Sequence, residues 1–171
     1  MKQTIEQFGG QCHDILKRNS GPVGLEQVRQ GLETLLADQD ILAAYLGPDA
    51  DEPRKIVYED WELKFCILTH VHKGSNESPP HDHGPTWAIY GQAKGTTEMT
   101  EYRVLEASEA GKPGKVEAFK SYALKPGMAV AYEAGQVHSP KRTGETRLIR
   151  IEGVNVVTVK RTPYKLAQAP S

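Results

Sequence analysis

The spacing of apolar side chains changes near residue 50. Before that point they recur every three or four residues, which is the spacing of one buried face of an α-helix. The apolar positions are Leu25, Val28, Leu32, Leu35, Leu36, Ile41, Leu42, Tyr45 and Leu46. Gly47-Pro48 predicts the end of this helix, and a shorter helix is expected over residues 4–17, broken near Gly9-Gly10. We therefore interpret residues 1–50 as a helical extension packed on the outside of a sheet domain.

Beyond residue 50 the pattern predicts many short strands separated by turns rich in Gly, Pro, Asn and Ser. The predicted strands are residues 56–58, 63–71, 87–92, 96–105, 116–122, 129–132, 147–151 and 154–160. Strands of this length and spacing indicate an antiparallel sandwich or small barrel, which we place at residues 51–165. Residues 166–171 are expected to form a loose tail, and a chain of 171 residues requires no second domain.

Charge and composition exclude some classes of partner. The chain has 21 basic and 22 acidic residues and a net charge of −1, which gives no reason to expect nucleic acid or an anionic membrane surface. Its apolar stretches are too short to span a bilayer, and its first residues lack the apolar core of a signal peptide. Cys12 and Cys66 have no tight spacing, so we expect two reduced thiols and a cytoplasmic protein.

Three histidines are candidate metal ligands. Pro79-Pro80-His81-Asp82-His83-Gly84 carries two histidines at i and i+2, which share a face if the segment is extended, and His138 follows later in the chain. Three imidazoles leave coordination positions open for substrate, water or dioxygen, as an enzyme metal requires. The second pair, His70 and His72, has no matching downstream histidine, so we expect it at a strand end rather than on the metal.

The third histidine lies in a recognisable motif. Gly127, five residues, Glu133-Ala134-Gly135, two residues and His138 resemble the second motif of the cupin superfamily, with Glu133 where proline is usual. The two earlier histidines, followed by Gly95, match the first motif in outline. The resemblance implies an all-β fold, the cupin double-stranded β-barrel or jelly roll, with a metal held inside. Positions 87 and 88 hold no glutamate, so the resemblance implies the subgroup with three histidine ligands.

A wider stretch, roughly residues 50–160, resembles the cysteine dioxygenase-like thiol dioxygenases. These are non-haem iron enzymes that add both atoms of dioxygen to a thiol sulfur and form a sulfinate. The resemblance implies Fe(II) as cofactor, held by His81, His83 and His138, and a substrate carboxylate bound by Arg54. Two departures weaken cysteine as the substrate. Ala88 replaces a cysteine of the animal enzymes, and Leu148, Arg150 and Glu152 occupy the positions of a Ser-x-His-x-Tyr run.

The residues at these positions are themselves candidates for catalysis. Arg150 and Glu152 share a strand face, which the alignment turns into the barrel, although the alternative is an ordinary solvent-facing strand. A buried charged pair is unfavourable unless it is satisfied, so Arg150 is predicted to bind a substrate anion, and Glu152 to act as general base or as a weak additional metal ligand. Trp87 and Tyr90 are further predicted to contact substrate, with core packing as the alternative. Arg142 is expected on the surface.

The sequence therefore favours an Fe(II) dioxygenase of the thiol dioxygenase type, with Zn, Ni and Mn as alternative metals. Its expected partners are dioxygen and a small anionic substrate, and a homodimer is possible by analogy with other cupins. Two alternatives stay open. One is a metalloenzyme of other chemistry, such as a carbon–carbon cleaving dioxygenase, lyase or isomerase; the other is a non-catalytic cupin that binds a small ligand.

Overall fold

The computed structural model describes residues 3–160 and 162–167. Three helices come first: α1 (Ile5–Arg18), α2 (Pro22–Leu36) and α3 (Gln39–Leu46). A capping box between Thr4 and Gln7 starts α1. The predicted break near Gly9-Gly10 is wrong, because Gly9 lies against the ring of Tyr58 and leaves no room for a side chain. The close approach of a strand, rather than a helix end, accounts for that glycine.

The predicted continuous helix to Leu46 is interrupted between α2 and α3. Asp38 is the N-cap of α3, and its carboxylate accepts hydrogen bonds from the backbone N–H groups of Asp40 and Ile41. An aspartate in this position satisfies donors at the start of a new helix, so it favours a break although the apolar spacing continues. The apolar faces of both helices still belong to one buried cluster.

Two five-stranded sheets follow the helices in the described part of the chain. The strands are β1 (Lys55–Glu59), β2 (Cys66–His72), β3 (Asn76–Glu77), β4 (Ala88–Lys94), β5 (Thr97–Glu106), β6 (Gly114–Leu124), β7 (Ala129–Tyr132), β8 (His138–Arg142), β9 (Thr146–Glu152) and β10 (Tyr164–Leu166). The first sheet has the order β1-β2-β9-β4-β7 and the second β10-β6-β5-β8-β3. Among the strands of residues 3–160 and 162–167, β10 and β6 pair in parallel and the other pairings are antiparallel. The predicted fold class, an all-β jelly roll with N-terminal helices, is confirmed.

Some predicted elements differ from the structure. Residues 154–160 form no strand; Val156–Thr158 is a 3₁₀ turn capped by the side chain of Asn155. The strands β3, β8 and β10 were not predicted from the sequence. In the predicted loose tail, Leu166 ends β10 and the Ala167 N–H donates to the Val116 carbonyl, while residues 168–171 lie outside the described residues.

Side chains alternate between two cores along the central strand β9. Ile149 and Ile151 pack against the helices on the outer face of the first sheet. Leu148 belongs to a second cluster between the two sheets, so Arg150 and Glu152, which share its side of the strand, face the interior as predicted. The helices thus cover one face of the first sheet, and its other face forms a wall of the barrel. No helix among the described residues is long and apolar enough to cross a membrane.

Candidate metal centre

The three predicted ligands converge inside the barrel. One ligand atom from each of His81, His83 and His138 lies within 4.8 Å of the others. His81 and His83 lie in the loop between β3 and β4, not on a regular strand, and His138 begins β8. The backbones of His81 and His138 form an isolated antiparallel bridge, with N–H···O distances of 3.0 and 2.9 Å. Backbone pairing therefore brings the two halves of the predicted site together.

Hydrogen bonds fix which ring nitrogens face the centre. His81 Nδ1 lies 2.9 Å from the Pro79 carbonyl oxygen, and His138 Nδ1 lies 3.0 Å from the Gln136 carbonyl oxygen. A carbonyl oxygen can only accept, so each Nδ1 carries the proton and each Nε2 keeps a lone pair. This is how metal-bound histidines are held in proteins.

The spacing of the nitrogens suits a single metal ion. His83 Nε2 lies 3.1 Å from His138 Nε2. Two nitrogens at the usual bond length of about 2.0 to 2.1 Å from one ion are about 2.8 to 3.4 Å apart in octahedral or tetrahedral geometry. The ring of Tyr132 stacks on His138, with centroids 3.9 Å apart and planes within 2°, which restricts rotation of that ring. The residues present therefore fit a metal held by three imidazoles.

The predicted substrate residue Tyr90 lies at this centre. Its hydroxyl oxygen is 2.9 Å from His83 Nε2 and 3.1 Å from His138 Nε2. The ring is buried, and the guanidinium carbon of Arg150 stands 4.7 Å from its centroid, a cation–π distance. Trp87 is placed differently: it packs against the helix-facing core, on the other side of the first sheet. Trp87 directly precedes β4 and Tyr90 lies on it, an odd number of positions away, so their side chains point to opposite faces of the sheet.

Asp82, between the two histidines, holds the loop rather than the metal. Its carboxylate accepts hydrogen bonds from the N–H groups of Gly84 and Thr162 and from the Tyr164 hydroxyl, at 3.0 to 3.3 Å. Gly84 has a φ of 63°, and a side chain there would collide with the Lys160 carbonyl. The loop that carries His81 and His83 is thus hydrogen-bonded through Asp82 to the segment that leads into β10.

A cavity of about 360 Å³ extends from His81 between the two sheets. Its wall includes Tyr90 and an unusual number of basic side chains. These are Arg54, His70, His72, Arg142 and Arg150. No acidic side chain lines the cavity among the described residues. The predicted substrate residues Arg54, Arg150 and Tyr90 therefore share one cavity with a predicted metal ligand.

Glu152 binds the two predicted substrate arginines. It is fully buried and accepts hydrogen bonds from Arg54 Nη1 and Nη2 at 2.9 and 3.1 Å, and Arg150 Nη2 lies 3.1 Å away. The Val156 N–H also donates to it at 3.0 Å. Burial alone would raise the pKa of Glu152, but the Arg54 hydrogen bonds, the Arg150 charge and the Val156 amide outweigh burial and lower it. Glu152 is therefore held as a carboxylate, and its single negative charge offsets part of the charge of Arg54 and Arg150.

Arg150 has a second contact that depends on the metal. Its Nη2 lies 3.3 Å from His83 Nδ1. A guanidinium can only donate, so this contact needs the lone pair on Nδ1 and the proton on Nε2. A metal on Nε2 requires the opposite tautomer, which presents an N–H to Arg150. A metal on His83 Nε2 and this hydrogen bond therefore exclude each other.

The positions of Arg142, His70 and His72 on the cavity wall were not predicted from the sequence. Arg142, expected on the surface, is 6% exposed. The signal was available: Arg142 follows His138 by four residues on β8, so the two share a strand face. His70 pairs with Leu148 across β2 and β9 and so points to the same side as Arg150. The register between strands, which the sequence alone did not supply, places them together.

Comparisons with known proteins bear on shape alone. No protein-family model and no curated protein sequence matches the chain. A protein with a double-stranded β-helix domain from Klebsiella pneumoniae is 17% identical, covers 72% of this chain and 88% of its own, and has a TM-score of 0.46. The cupin domain of Schizosaccharomyces pombe Cnp3 is 12% identical, with 65% and 73% covered and a TM-score of 0.47. A cupin superfamily protein from Desulfitobacterium hafniense is 11% identical, with 63% and 84% covered and a TM-score of 0.44.

Proposed function

We propose that the protein is a metal-dependent enzyme, an Fe(II) dioxygenase of the thiol dioxygenase type acting on a small anionic substrate. One observation carries the proposal: three histidine nitrogens converge at a buried point that opens onto an arginine-lined cavity. A structural metal site is normally closed by a fourth protein ligand. No further His, Cys, Asp or Glu joins this group among residues 3–160 and 162–167.

The donor set favours an anionic substrate. When bound, Fe(II) on three neutral imidazoles supplies a centre that keeps its positive charge, attracts a thiolate and activates dioxygen. The chain holds the His81 and His138 rings in the required tautomer through two backbone carbonyls, and it restricts the His138 ring by stacking on Tyr132. The Tyr90 hydroxyl, within 3.1 Å of two of the three nitrogens, is placed to donate a hydrogen bond or a proton to a reacting atom.

The charged residues divide into two roles in this proposal. Arg150 binds the substrate anion, because it lines the cavity and its Nη2 lies 3.1 Å from the Glu152 carboxylate, beside the metal site. Glu152 is a positioning residue rather than a general base, since it already accepts hydrogen bonds from Arg54 and from Val156. Arg54 donates two hydrogen bonds to the Glu152 carboxylate, and it also lines the cavity.

Oxygen uptake tests the proposal directly. We expect the iron-loaded protein to consume one molecule of dioxygen per sulfinate formed with a thiol that carries a carboxylate, and the His138→Ala variant to consume none. His13→Ala is the matched control, because His13 contacts Asp60 and belongs neither to the metal group nor to the cavity wall. Oxygen uptake with diketones but not thiols, or turnover without oxygen, would contradict the proposal and favour a carbon–carbon cleaving dioxygenase, lyase or isomerase.

A further inference from the structure

The hydroxyl oxygen of Tyr90 lies at ligand spacing from two of the metal-site nitrogens. It is 2.9 Å from His83 Nε2 and 3.1 Å from His138 Nε2, and the two nitrogens are 3.1 Å apart. The three atoms form a nearly equilateral triangle. Neighbouring ligands on one ion are about 2.8 to 3.4 Å apart at bond lengths of about 2.0 to 2.1 Å. The Tyr90 oxygen therefore has the position of a further ligand beside the histidines, and tyrosine is a known iron ligand in proteins.

A bound metal removes the hydrogen-bond acceptors of this hydroxyl. Once the lone pairs of His83 Nε2 and His138 Nε2 are on the metal, neither nitrogen can accept a hydrogen bond from Tyr90. The ring is held in place, since it is 2% exposed and packs edge-on against Tyr132 and His138. A metal cation favours the deprotonated form of a group that coordinates it. The buried hydroxyl is thus best satisfied as a phenolate on the metal.

The surroundings of Tyr90 suit a negatively charged oxygen. The guanidinium carbon of Arg150 stands 4.7 Å from the centroid of the ring. Arg54 and Arg142 line the same cavity as Tyr90, and no acidic side chain lines it among the described residues. A phenolate at this position therefore has cations nearby, and no carboxylate on the cavity wall competes with it for the metal.

Tyr90 also lies between the cavity and two of the metal ligands. His81 and Tyr90 line the cavity, whereas His83 and His138 are 2% and 0% exposed and do not line it. A substrate that enters from the cavity therefore meets the Tyr90 oxygen before it can reach a metal on those two nitrogens. A ligand in this position has to leave when the substrate binds, so it does not close the site permanently.

We propose that Tyr90 is a replaceable metal ligand, bound through its phenolate oxygen in the substrate-free protein and exchanged for the sulfur of a thiol substrate. In the exchange the S–H bond breaks and its proton passes to the Tyr90 oxygen, while a sulfur–metal bond replaces the oxygen–metal bond without oxidation or reduction. Tyr90 then carries the hydroxyl that donates to a reacting atom. The identity of the thiol rests on the proposed function, whereas the ligand role rests on the position of the Tyr90 oxygen beside the histidine nitrogens.

The absorption spectrum of the Fe(III)-loaded protein tests the ligand role. A phenolate on Fe(III) gives an intense charge-transfer band in the visible region, which imidazole ligands do not give. We expect this band in the wild type and its loss in Tyr90→Phe, with iron still bound by the three histidines. Tyr132→Phe is the matched control and should keep the band, because Tyr132 is also buried but its hydroxyl is hydrogen-bonded to that of Tyr122.

Zinc-loaded protein tests the exchange in the absence of redox chemistry. Zinc should produce the near-ultraviolet difference band of an ionised tyrosine in the wild type and in Tyr132→Phe, but not in Tyr90→Phe. Mercaptoacetate should then remove this band while zinc stays bound, whereas acetate, which lacks the thiol, should leave it. Because the wild type alone reports the band and its removal, this measurement decides the exchange even if Tyr90→Phe does not fold.

The outcomes separate the ligand role from the proposed function. Iron bound to the wild type without a visible band, or a band that persists in Tyr90→Phe, would overturn the ligand role. A zinc band that mercaptoacetate leaves unchanged would overturn the exchange. Oxygen uptake with thiols in a protein that shows neither band would leave the proposed function standing. Both bands without oxygen uptake would contradict the proposed function and support Tyr90 as a ligand.

Discussion

At the scale of single residues, Glu152 supplies the carboxylate that pairs with two arginines inside the barrel. It is fully buried, and Arg54, Arg150 and the Val156 amide direct hydrogen bonds or charge at it. Breaking such a cluster from one side leaves buried charges without a partner, which is far more unfavourable than the loss of a surface ion pair. The carboxylate thus supports the cavity wall before it has any part in chemistry.

The Glu152→Gln variant tests this role. We expect the free energy of unfolding to fall by about 3 to 5 kcal/mol, because an amide leaves both guanidinium groups without a counter-charge. Urea denaturation followed by circular dichroism measures the change. Glu117→Gln, which removes the exposed pair with Arg103, should have no measurable effect. Equal stability of Glu152→Gln and the wild type would mean that the cluster does not hold the wall together.

The same carboxylate predicts a pH dependence. The pKa of Glu152 is lowered from its ordinary value of 4.5, since its hydrogen bonds outweigh burial. A lowered pKa in the folded state gives a contribution that is present above the unfolded-state value and is lost as the pH falls through the folded-state value. The stability gap between the wild type and Glu152→Gln should therefore be constant near neutral pH and shrink in acid. A gap that grows on acidification would contradict the assigned charge.

Not all of the site residues could be predicted from sequence. The three histidines lie in short motifs with fixed spacing, so local sequence was sufficient to identify them. Arg142 and His70 depend on strand register, which arises from pairing between distant segments, and Trp87 was predicted to contact substrate but packs in the helix-facing core because side chains alternate along this segment. The tautomers required hydrogen-bond partners that only the folded loop reveals.

At the scale of elements, the three helices stabilise the first sheet by covering its outer face. Apolar periodicity predicted the helices because they are amphipathic, and alternation predicted most strands. The exceptions have local causes: an aspartate cap divides α2 from α3, and the Glu152 carboxylate binds the Val156 amide where a strand was predicted. The strand β8 was not predicted from the sequence, because Pro140, Lys141 and Arg142 are not typical of a buried strand.

Leu32→Ala tests the contribution of α2. Leu32 is fully buried in the helix-facing core and lies against Gly91 on β4. Truncation should lower the free energy of unfolding by about 2 to 5 kcal/mol because it leaves a cavity. Urea denaturation checks this value, with Val23→Ala as the control, because Val23 is on the same helix and is 61% exposed. A change as small as that of the control would mean that α2 is not part of the core.

At the scale of the whole molecule, the jelly roll places charged groups between two sheets, which a single sheet could not do. The helices bury the outer face of the first sheet, so its strands are apolar on that side and free to carry polar residues on the other. The two sheets then enclose the histidines, the arginines and the cavity between them. The fold class followed from strand count and motif resemblance, whereas the cavity is lined by strands of both sheets and depends on how they pack.

The most direct test of the central claim is the metal content of the untagged protein, measured by mass spectrometry beside two variants. We expect about one transition-metal ion per chain in the wild type and in His72→Ala, and none in His138→Ala, with melting temperatures confirming that all three are folded. Iron as that metal would support the dioxygenase. Equal metal content in the folded wild type and His138→Ala, or no metal in any of them after reconstitution, would contradict a metal centre built from three histidines.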